Sequence, residues 1–319
     1  MTKLARGYLR MRNYSHETRM KQGSIPCLRT ELNLALTLHG GQSFRWTNYD
    51  TGYRGIFDGC IWTLSQDETH LSYTEHYKEW ARTDTHFQEC LDENIVVRIL
   101  KQDIVENLFS FICSSNNNIS RISSMVEKLC SLFGRKICLI EDKEYYDFPT
   151  IETLKEKNVE NILKREKFGY RAAYIVNTAE RLSELGGKDW LLRLQKENNI
   201  SYQVAREQLM TLPGIGPKVA DCICLMSLGY LDAIPVDTHI FQIAQANYLP
   251  HLKKQKTVTP KIHTEVSNHL RKLWGPLAGW AQAIVFSTKI NMKSKSTGTL
   301  KRKNNGNENV IQTKVLKPI

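Results

Sequence analysis

Between residue 24 and about residue 90 apolar and polar residues alternate, and from about residue 96 the apolar positions recur every three to four residues. Alternation places successive side chains on opposite faces of a strand, whereas a 3.6-residue period gathers them on one face of a helix. In the first part Leu32-Asn33-Leu34-Ala35-Leu36-Thr37-Leu38 and Trp62-Thr63-Leu64 read as half-buried antiparallel strands, with glycine-rich breaks at 40–41, 52–55 and 59. In the second part the period predicts helices over 101–114, 119–133, 151–164, 170–184, 187–197, 202–212, 218–228, 238–247, 259–273 and 277–290. The expected fold is therefore α+β, with a small antiparallel β domain over 24–95 and a larger all-helical domain over 96–290. Residues 1–23 stand apart as a basic extension. Residues 291–319 are rich in Lys, Ser and Asn with few large apolar residues, the composition of a disordered tail.

Composition narrows the partners. The chain has 319 residues, 41% of them hydrophobic, which suffices for a sizeable core. A mean hydropathy of −0.41 and the lack of any run of about 18 uncharged apolar residues argue against a membrane protein. The formal net charge of +11 favours a polyanion. Seven Lys/Arg against one Glu fall in residues 292–319, so less than half of that charge belongs to the rest of the chain. Residues 1–23 carry Lys3, Arg6, Arg10, Arg12, Arg19 and Lys21 against Glu17 alone, and read equally as a mitochondrial presequence or as a disordered basic extension. Lys301-Arg302-Lys303 reads as a nuclear import cluster or as solvated tail. The expected location is the nucleus, with the mitochondrion as a second site. The cysteines at 27, 60, 90, 113, 130, 138, 222 and 224 form no Cys-x-x-Cys pair, and no secretory leader is evident, so reduced thiols in an intracellular protein are expected.

The densest chemistry lies in residues 212–245, LPGIGPKVADCICLMSLGYLDAIPVDTHIFQIAQ. Gly214 and Gly216 sit in a turn between two helical runs, where glycine permits positive φ and close approach to another backbone. The helix that follows begins with unpaired N–H groups, a site suited to a phosphate. This is the outline of a helix-hairpin-helix. Lys218 follows the turn directly, and a neutral lysine amine is a good nucleophile at an aldehyde-level carbon. A phosphate contact is the equally weighted reading of that lysine. Nineteen residues on, Asp237 in PVDTH stands where a helix N-cap belongs, and a carboxylate aimed by capping can also stabilise positive charge on a sugar. Cys222 and Met226 share a helix face with Lys218, as Gln282 and Phe286 share one later. Core packing explains Cys222, Met226 and Phe286 readily, but Gln282 less so, because a buried amide needs partners.

Several segments resemble the helix-hairpin-helix/Gly-Pro-Asp superfamily of base-excision DNA glycosylases, and within it the eukaryotic 8-oxoguanine DNA glycosylase/AP lyase branch. They are SIPC at 24–27, GGQSFRW at 40–46, FSFICSSNNNISRI at 109–122, FGYRAAY at 168–174, the block at 212–245 and LWGPLAGWAQAIVFS at 273–287. The resemblance covers roughly residues 24 to 290. It implies excision of 8-oxoguanine opposite cytosine from double-stranded DNA by a monomer. Lys218 would form a Schiff base at C1′ and Asp237 would stabilise the developing charge. Gly41 would offer its carbonyl to the N7–H that 8-oxoguanine has and guanine lacks, beside a base pocket of Cys222, Met226, Gln282 and Phe286. Asn116 would fill the gap left by the flipped base, Tyr170 would wedge beside it, Arg121 and Arg171 would read the orphaned cytosine, and His239 would contact a phosphate. Gly214 and Gly216 would bring the hairpin to the backbone.

The resemblance implies no required cofactor, while leaving room for a cation at the hairpin carbonyls. No cysteine follows Cys224, so the four-cysteine iron–sulfur loop of other branches is not expected. The run from Leu71 to Phe87 is shorter than the family pattern, and an incomplete β domain is expected there. The shortening also motivates a rival of another class, a non-catalytic damage-selective DNA-binding protein that retains the hairpin. A pure binder needs neither Lys218 nor Asp237.

Overall fold

In the computed structural model, residues 9–14, 21–25, 32–49, 52–57, 60–66, 84–90 and 97–301 are described. Five antiparallel strands form one sheet: β1 (Leu9–Tyr14), β2 (Lys21–Ile25), β3 (Trp46–Tyr49), β4 (Gly52–Phe57) and β5 (Cys60–Gln66), in the order β2-β1-β5-β4-β3. The sheet thus takes in Leu9–Tyr14, from the segment that charge alone set apart as an extension, paired along its length with β5. Most of the run expected to be shortened, 71–83, lies outside the described residues, as do 302–319 of the expected tail. The last helix, Ala278–Lys301, nevertheless continues into the stretch that composition reads as disordered.

Two further expectations are corrected. Leu32 to Leu38 is not a strand, because α1 (Leu34–His39) occupies it. The Asn33 side chain accepts from the Leu36 N–H at 3.1 Å and caps the helix. Leu34 and Leu38, one turn apart, are both buried against Leu64. An alternating run of leucines fits either period at this length, and the cap decides. The helical part also contains a hairpin that periodicity missed, β6 (Lys136–Ile140) with β7 (Lys143–Tyr146). Its two-residue loop, Glu141-Asp142, has φ of 51° and 59°, the mirror-image turn that matches strand twist. Ile137 and Tyr145 pack on Ile56 and Ile61 of the large sheet.

Helices expected over 119–133, 170–184 and 259–273 are observed at Ile119–Phe133, Arg171–Leu185 and Pro260–Trp274. Residues 151–164 instead form two short helices, Ile151–Leu154 and Val159–Arg165. One core cluster surrounds Leu108 and Ile112 of Ile104–Cys113 and Ala220 and Ile223 of Pro217–Met226. A second joins Phe87, Val236, Phe241, Trp274 and Ile284. The buried carboxylate of Asp84 ties this second cluster together, accepting from Tyr248 Oη at 2.8 Å and Trp274 Nε1 at 2.9 Å. The β domain is fastened to the helical body through Arg45, which donates to Glu106 at 3.2 Å from a buried position. The Gln42 side chain adds a second anchor, donating to Arg98 O at 2.9 Å and accepting from the Leu100 N–H at 3.1 Å.

Candidate active site

The turn Pro213 to Gly216 joins Tyr202–Leu209 to Pro217–Met226. Gly214 has φ +76°, and a Cβ there would stand 2.6 Å from Tyr174 Cγ, so both backbone and space demand glycine. Gly216 departs from expectation. Its φ is −92° and ψ −179°, ordinary extended backbone, and nothing lies within 4 Å of a Cβ placed on it. The close neighbour of Gly214 is likewise a side-chain ring rather than another backbone. The Thr178 hydroxyl donates to Pro213 O at 2.5 Å and ties the turn to Arg171–Leu185. Pro217, at the first helical position, has no N–H to leave unpaired, and among the described residues no side chain caps the N–H groups behind it.

Lys218, Cys222 and Met226 lie at successive i+4 positions on that helix. They line a cavity with Asp237 from the start of Thr238–Ile243, Gln282 and Phe286 from Ala278–Lys301, and Gly41 from the loop after α1. About 500 Å³ of free space, mouth included, lies among them, in the seam between the two core clusters and the edge of the β domain. All seven residues singled out for nucleophile, charge stabiliser and base pocket thus meet in one place. Gly41 has φ +81°, and a methyl there would reach 3.4 Å from Ile119 and 3.8 Å from the Phe286 ring. Asp237 accepts from the Ile240 N–H at 2.8 Å, the expected cap. Gln282 is 6% exposed, and its amide has no hydrogen-bond partner among the described residues, which leaves it available to a ligand in the cavity. The His239 ring lies 5.9 Å from that of Phe286, centroid to centroid.

Around the lysine the polar chemistry is specific. Lys218 Nζ donates to Ser114 Oγ at 3.1 Å and lies 4.8 Å from the Phe111 ring centroid. Burial pushes the Cys222 thiol up to about 11, against the pull of the Lys218 amine, so the thiol is protonated near neutral pH. Three residues after Lys218, the fully buried Asp221 accepts from Tyr202 Oη and from Arg206 Nε, each at 2.7 Å, and its other oxygen is 3.2 Å from His263 Nε2. Burial raises Asp221 to about 6 despite Arg206, and burial together with Arg206 lowers His263 to about 4. This cluster braces the lysine-bearing helix against Tyr202–Leu209 and Pro260–Trp274. Among the described residues no group of three or more His, Cys, Asp or Glu is placed to hold a metal.

A second group surrounds residues 115–121. Asn116 is exposed with φ +48°, and Tyr170 is 52% exposed with its hydroxyl donating to Ser115 O at 3.1 Å. Arg121 is exposed and donates to Lys167 O at 3.2 Å. Arg171 lies beside the same loop. It is 3% exposed and donates to the carbonyls of Phe168, Ser115 and Asn116, which shapes the Asn116 loop. Ser114, Phe111 and Tyr174 were not singled out from sequence. Ser114 meets Lys218 across 104 residues, a separation that no local pattern signals.

The family model described as HhH-GPD superfamily base excision DNA repair protein matches residues 109–276, and the 8-oxoguanine DNA glycosylase N-terminal domain matches 24–76 and 69–108. The N-glycosylase/DNA lyase of Saccharomyces cerevisiae is 34% identical, with 89% of this chain and 90% of that protein covered. The N-glycosylase/DNA lyase OGG1 of Arabidopsis thaliana is 37% identical, with 82% of this chain and 78% of that protein covered. Among solved structures, the Clostridium acetobutylicum 8-oxoguanine glycosylase/lyase, in complex with double-stranded DNA containing cytosine opposite 8-oxoguanine, superposes with a TM-score of 0.70 at 26% identity. That match covers 85% of this chain and 95% of the bacterial one.

Proposed function

Because this chain belongs to the HhH-GPD superfamily of base excision DNA repair proteins, with the N-terminal domain of the 8-oxoguanine DNA glycosylases, we propose that its cavity takes a flipped 8-oxoguanine and that Lys218 is its nucleophile. The protein is a bifunctional DNA glycosylase and AP lyase acting on double-stranded DNA with 8-oxoguanine opposite cytosine. The observation that carries this is the convergence of Lys218 and Asp237 around one cavity with an aromatic Phe286 and a buried Gln282 whose amide has no partner among the described residues. A non-catalytic binder would have no use for the first two.

Flipping a base costs a few kcal/mol of stacking and pairing. Asn116 and Tyr170, both exposed, are the groups that would fill the vacancy, with Arg121 beside the opposite cytosine. In the cavity Phe286 stacks on the purine, Gln282 meets its Watson–Crick edge, and the Gly41 carbonyl accepts the N7–H. Guanine would put an acceptor there and face repulsion. The Lys218 amine attacks C1′, the C1′–N9 bond breaks, and its electron pair leaves with the base. The Asp237 carboxylate, held by its cap, stabilises the positive charge that develops on the sugar. Opening of the sugar ring gives the imine between Lys218 and C1′. Loss of a C2′ proton then expels the 3′ phosphate by breaking the C3′–O bond, which nicks the strand.

No helix among the described residues is long and apolar enough to cross a membrane. The basic run Lys301-Arg302-Lys303 supports a nuclear location, and the basic residues of 1–23 a mitochondrial one. The chemistry is tested by incubating the protein with an 8-oxoguanine:cytosine duplex and borohydride, beside an undamaged duplex and Lys218→Gln. A covalent adduct confined to damaged DNA and lost in the variant is expected. Folded protein that binds the duplex and yields no adduct would leave only the binder.

A further inference from the structure

The structure assigns Ser114 as the residue that orients the Lys218 amine for attack, a positioning role that rests on the glycosylase/lyase reading. Ser114 terminates Ile104–Cys113, and its backbone N–H turns back to the last carbonyls of that helix. Its hydroxyl proton is committed as well, donated to Phe111 O at 2.7 Å. A hydroxyl has one proton and two lone pairs, so Ser114 Oγ can only accept from its remaining neighbour. That neighbour is Lys218 Nζ at 3.1 Å.

The polarity of this contact matters for a nucleophile. An amine attacks carbon through its lone pair, and a partner that donated to the nitrogen would occupy that pair. Ser114 cannot do so. It holds an N–H instead and leaves the pair free to turn elsewhere. The Phe111 ring lies 4.8 Å from the same nitrogen. Ser114 and Phe111 thus flank the amine. Lys218 lines the cavity together with Asp237, Gln282 and Phe286, the side from which a substrate carbon would meet the free pair. Because Ser114 stands two residues before Asn116, and Tyr170 and Arg171 hold the Ser115 carbonyl and Arg171 the Asn116 carbonyl, the amine is also registered against the Asn116 loop.

Ser114 could instead be no more than a helix terminator, and the test separates the roles. The full chain, Ser114→Ala and Ser114→Thr are compared for single-turnover base release and borohydride trapping on 8-oxoguanine:cytosine DNA. Each is also compared for affinity to a duplex carrying an uncleavable tetrahydrofuran abasic analogue. We expect Ser114→Ala to release and trap about tenfold to 100-fold more slowly, with affinity within about threefold of the unsubstituted protein. Threonine keeps the hydroxyl, and should restore the rate to within about fivefold. The assignment is overturned if Ser114→Ala traps within about twofold of the unsubstituted chain. It is equally overturned if the alanine variant loses affinity in step with rate, or if threonine recovers nothing. Absence of trapping by the unsubstituted protein would remove the lyase reading itself, a different outcome.

Discussion

The two hairpin glycines make the sharpest prediction, because the structure gives them opposite constraints. Alanine at position 214 must take φ +76°, which costs roughly 1–2 kcal/mol for a residue with a Cβ. Its methyl would also stand 2.6 Å from Cγ and 2.7 Å from Cβ of Tyr174, atoms at the root of that side chain that cannot swing aside. Overpacking of this kind costs about 1–3 kcal/mol. The sum for Gly214→Ala is roughly 2–5 kcal/mol, or a fall in Tm of about 5–15 °C for a folded body of this size. Gly216→Ala meets no such obstacle, since φ −92° suits alanine and the Cβ has nothing within 4 Å. Fewer unfolded conformations should leave its stability unchanged or raised by up to about 1 kcal/mol. Its methyl stands instead where a phosphate would approach the N–H groups behind Pro217, so DNA affinity should fall with stability intact. Thermal melts followed by circular dichroism, paired with binding to the uncleavable abasic duplex at a temperature where both variants are folded, read the two effects apart. Equal melting temperatures for the two variants would refute the packing argument. A Gly216→Ala variant that binds as tightly as the unsubstituted protein would refute the assignment of the open side to DNA.

Asp237→Asn should separate capping from chemistry. Asparagine caps about as well as aspartate, so melting should be unchanged while base excision falls roughly 100-fold. Near-normal single-turnover rates would reduce Asp237 to a cap. The buried cluster on the lysine-bearing helix predicts two opposed pH dependences of stability. His263 is held down at about 4 against 6.5 unfolded, so the unfolded chain takes up a proton that the native state refuses, and stability falls as pH drops from about 6.5 toward 4. Asp221 is raised to about 6 from 3.8. Its contribution is therefore fully present below about 3.8 and lost as pH rises through about 6. His263→Gln removes the first dependence alone, so its Tm relative to the unsubstituted protein should rise as pH is lowered from neutral to about 5. A difference in Tm that stays constant over that range would show that His263 does not resist protonation in the fold.

How far the fold could be read depended on whether local signals agreed. The helix Ile119–Phe133 was legible to the residue because Asn118 caps it with a side-chain bond to the Arg121 N–H and Gly134 ends it, around a clear 3.6 period. The hairpin at 136–146 was not. It follows a long helix, and its turn residues, Glu141 and Asp142, lack the Asn-Gly or Asp-Gly signature while still taking positive φ. What holds it is packing on Ile56 and Ile61, residues some eighty positions earlier. Leu32 to Leu38 fits both periods, because seven residues of alternating leucine satisfy either, and burial against Leu64 with the Asn33 cap selects the helix.

By itself the sequence determined the chemical inventory and its local geometry. Lys218, Cys222 and Met226 must share a face once that segment is helical, Asp237 must cap the helix behind it, and Gln282 must travel with Phe286, because helical periodicity is set by the backbone alone. Only the tertiary structure brought those three segments and Gly41 around one cavity, because contacts between segments far apart in sequence depend on how the two core clusters and the β domain pack. It alone turned Arg171 inward, where its two terminal nitrogens donate to the carbonyls of Phe168, Ser115 and Asn116. And it alone placed the Ser114 hydroxyl, its proton already given to Phe111, against the lysine amine.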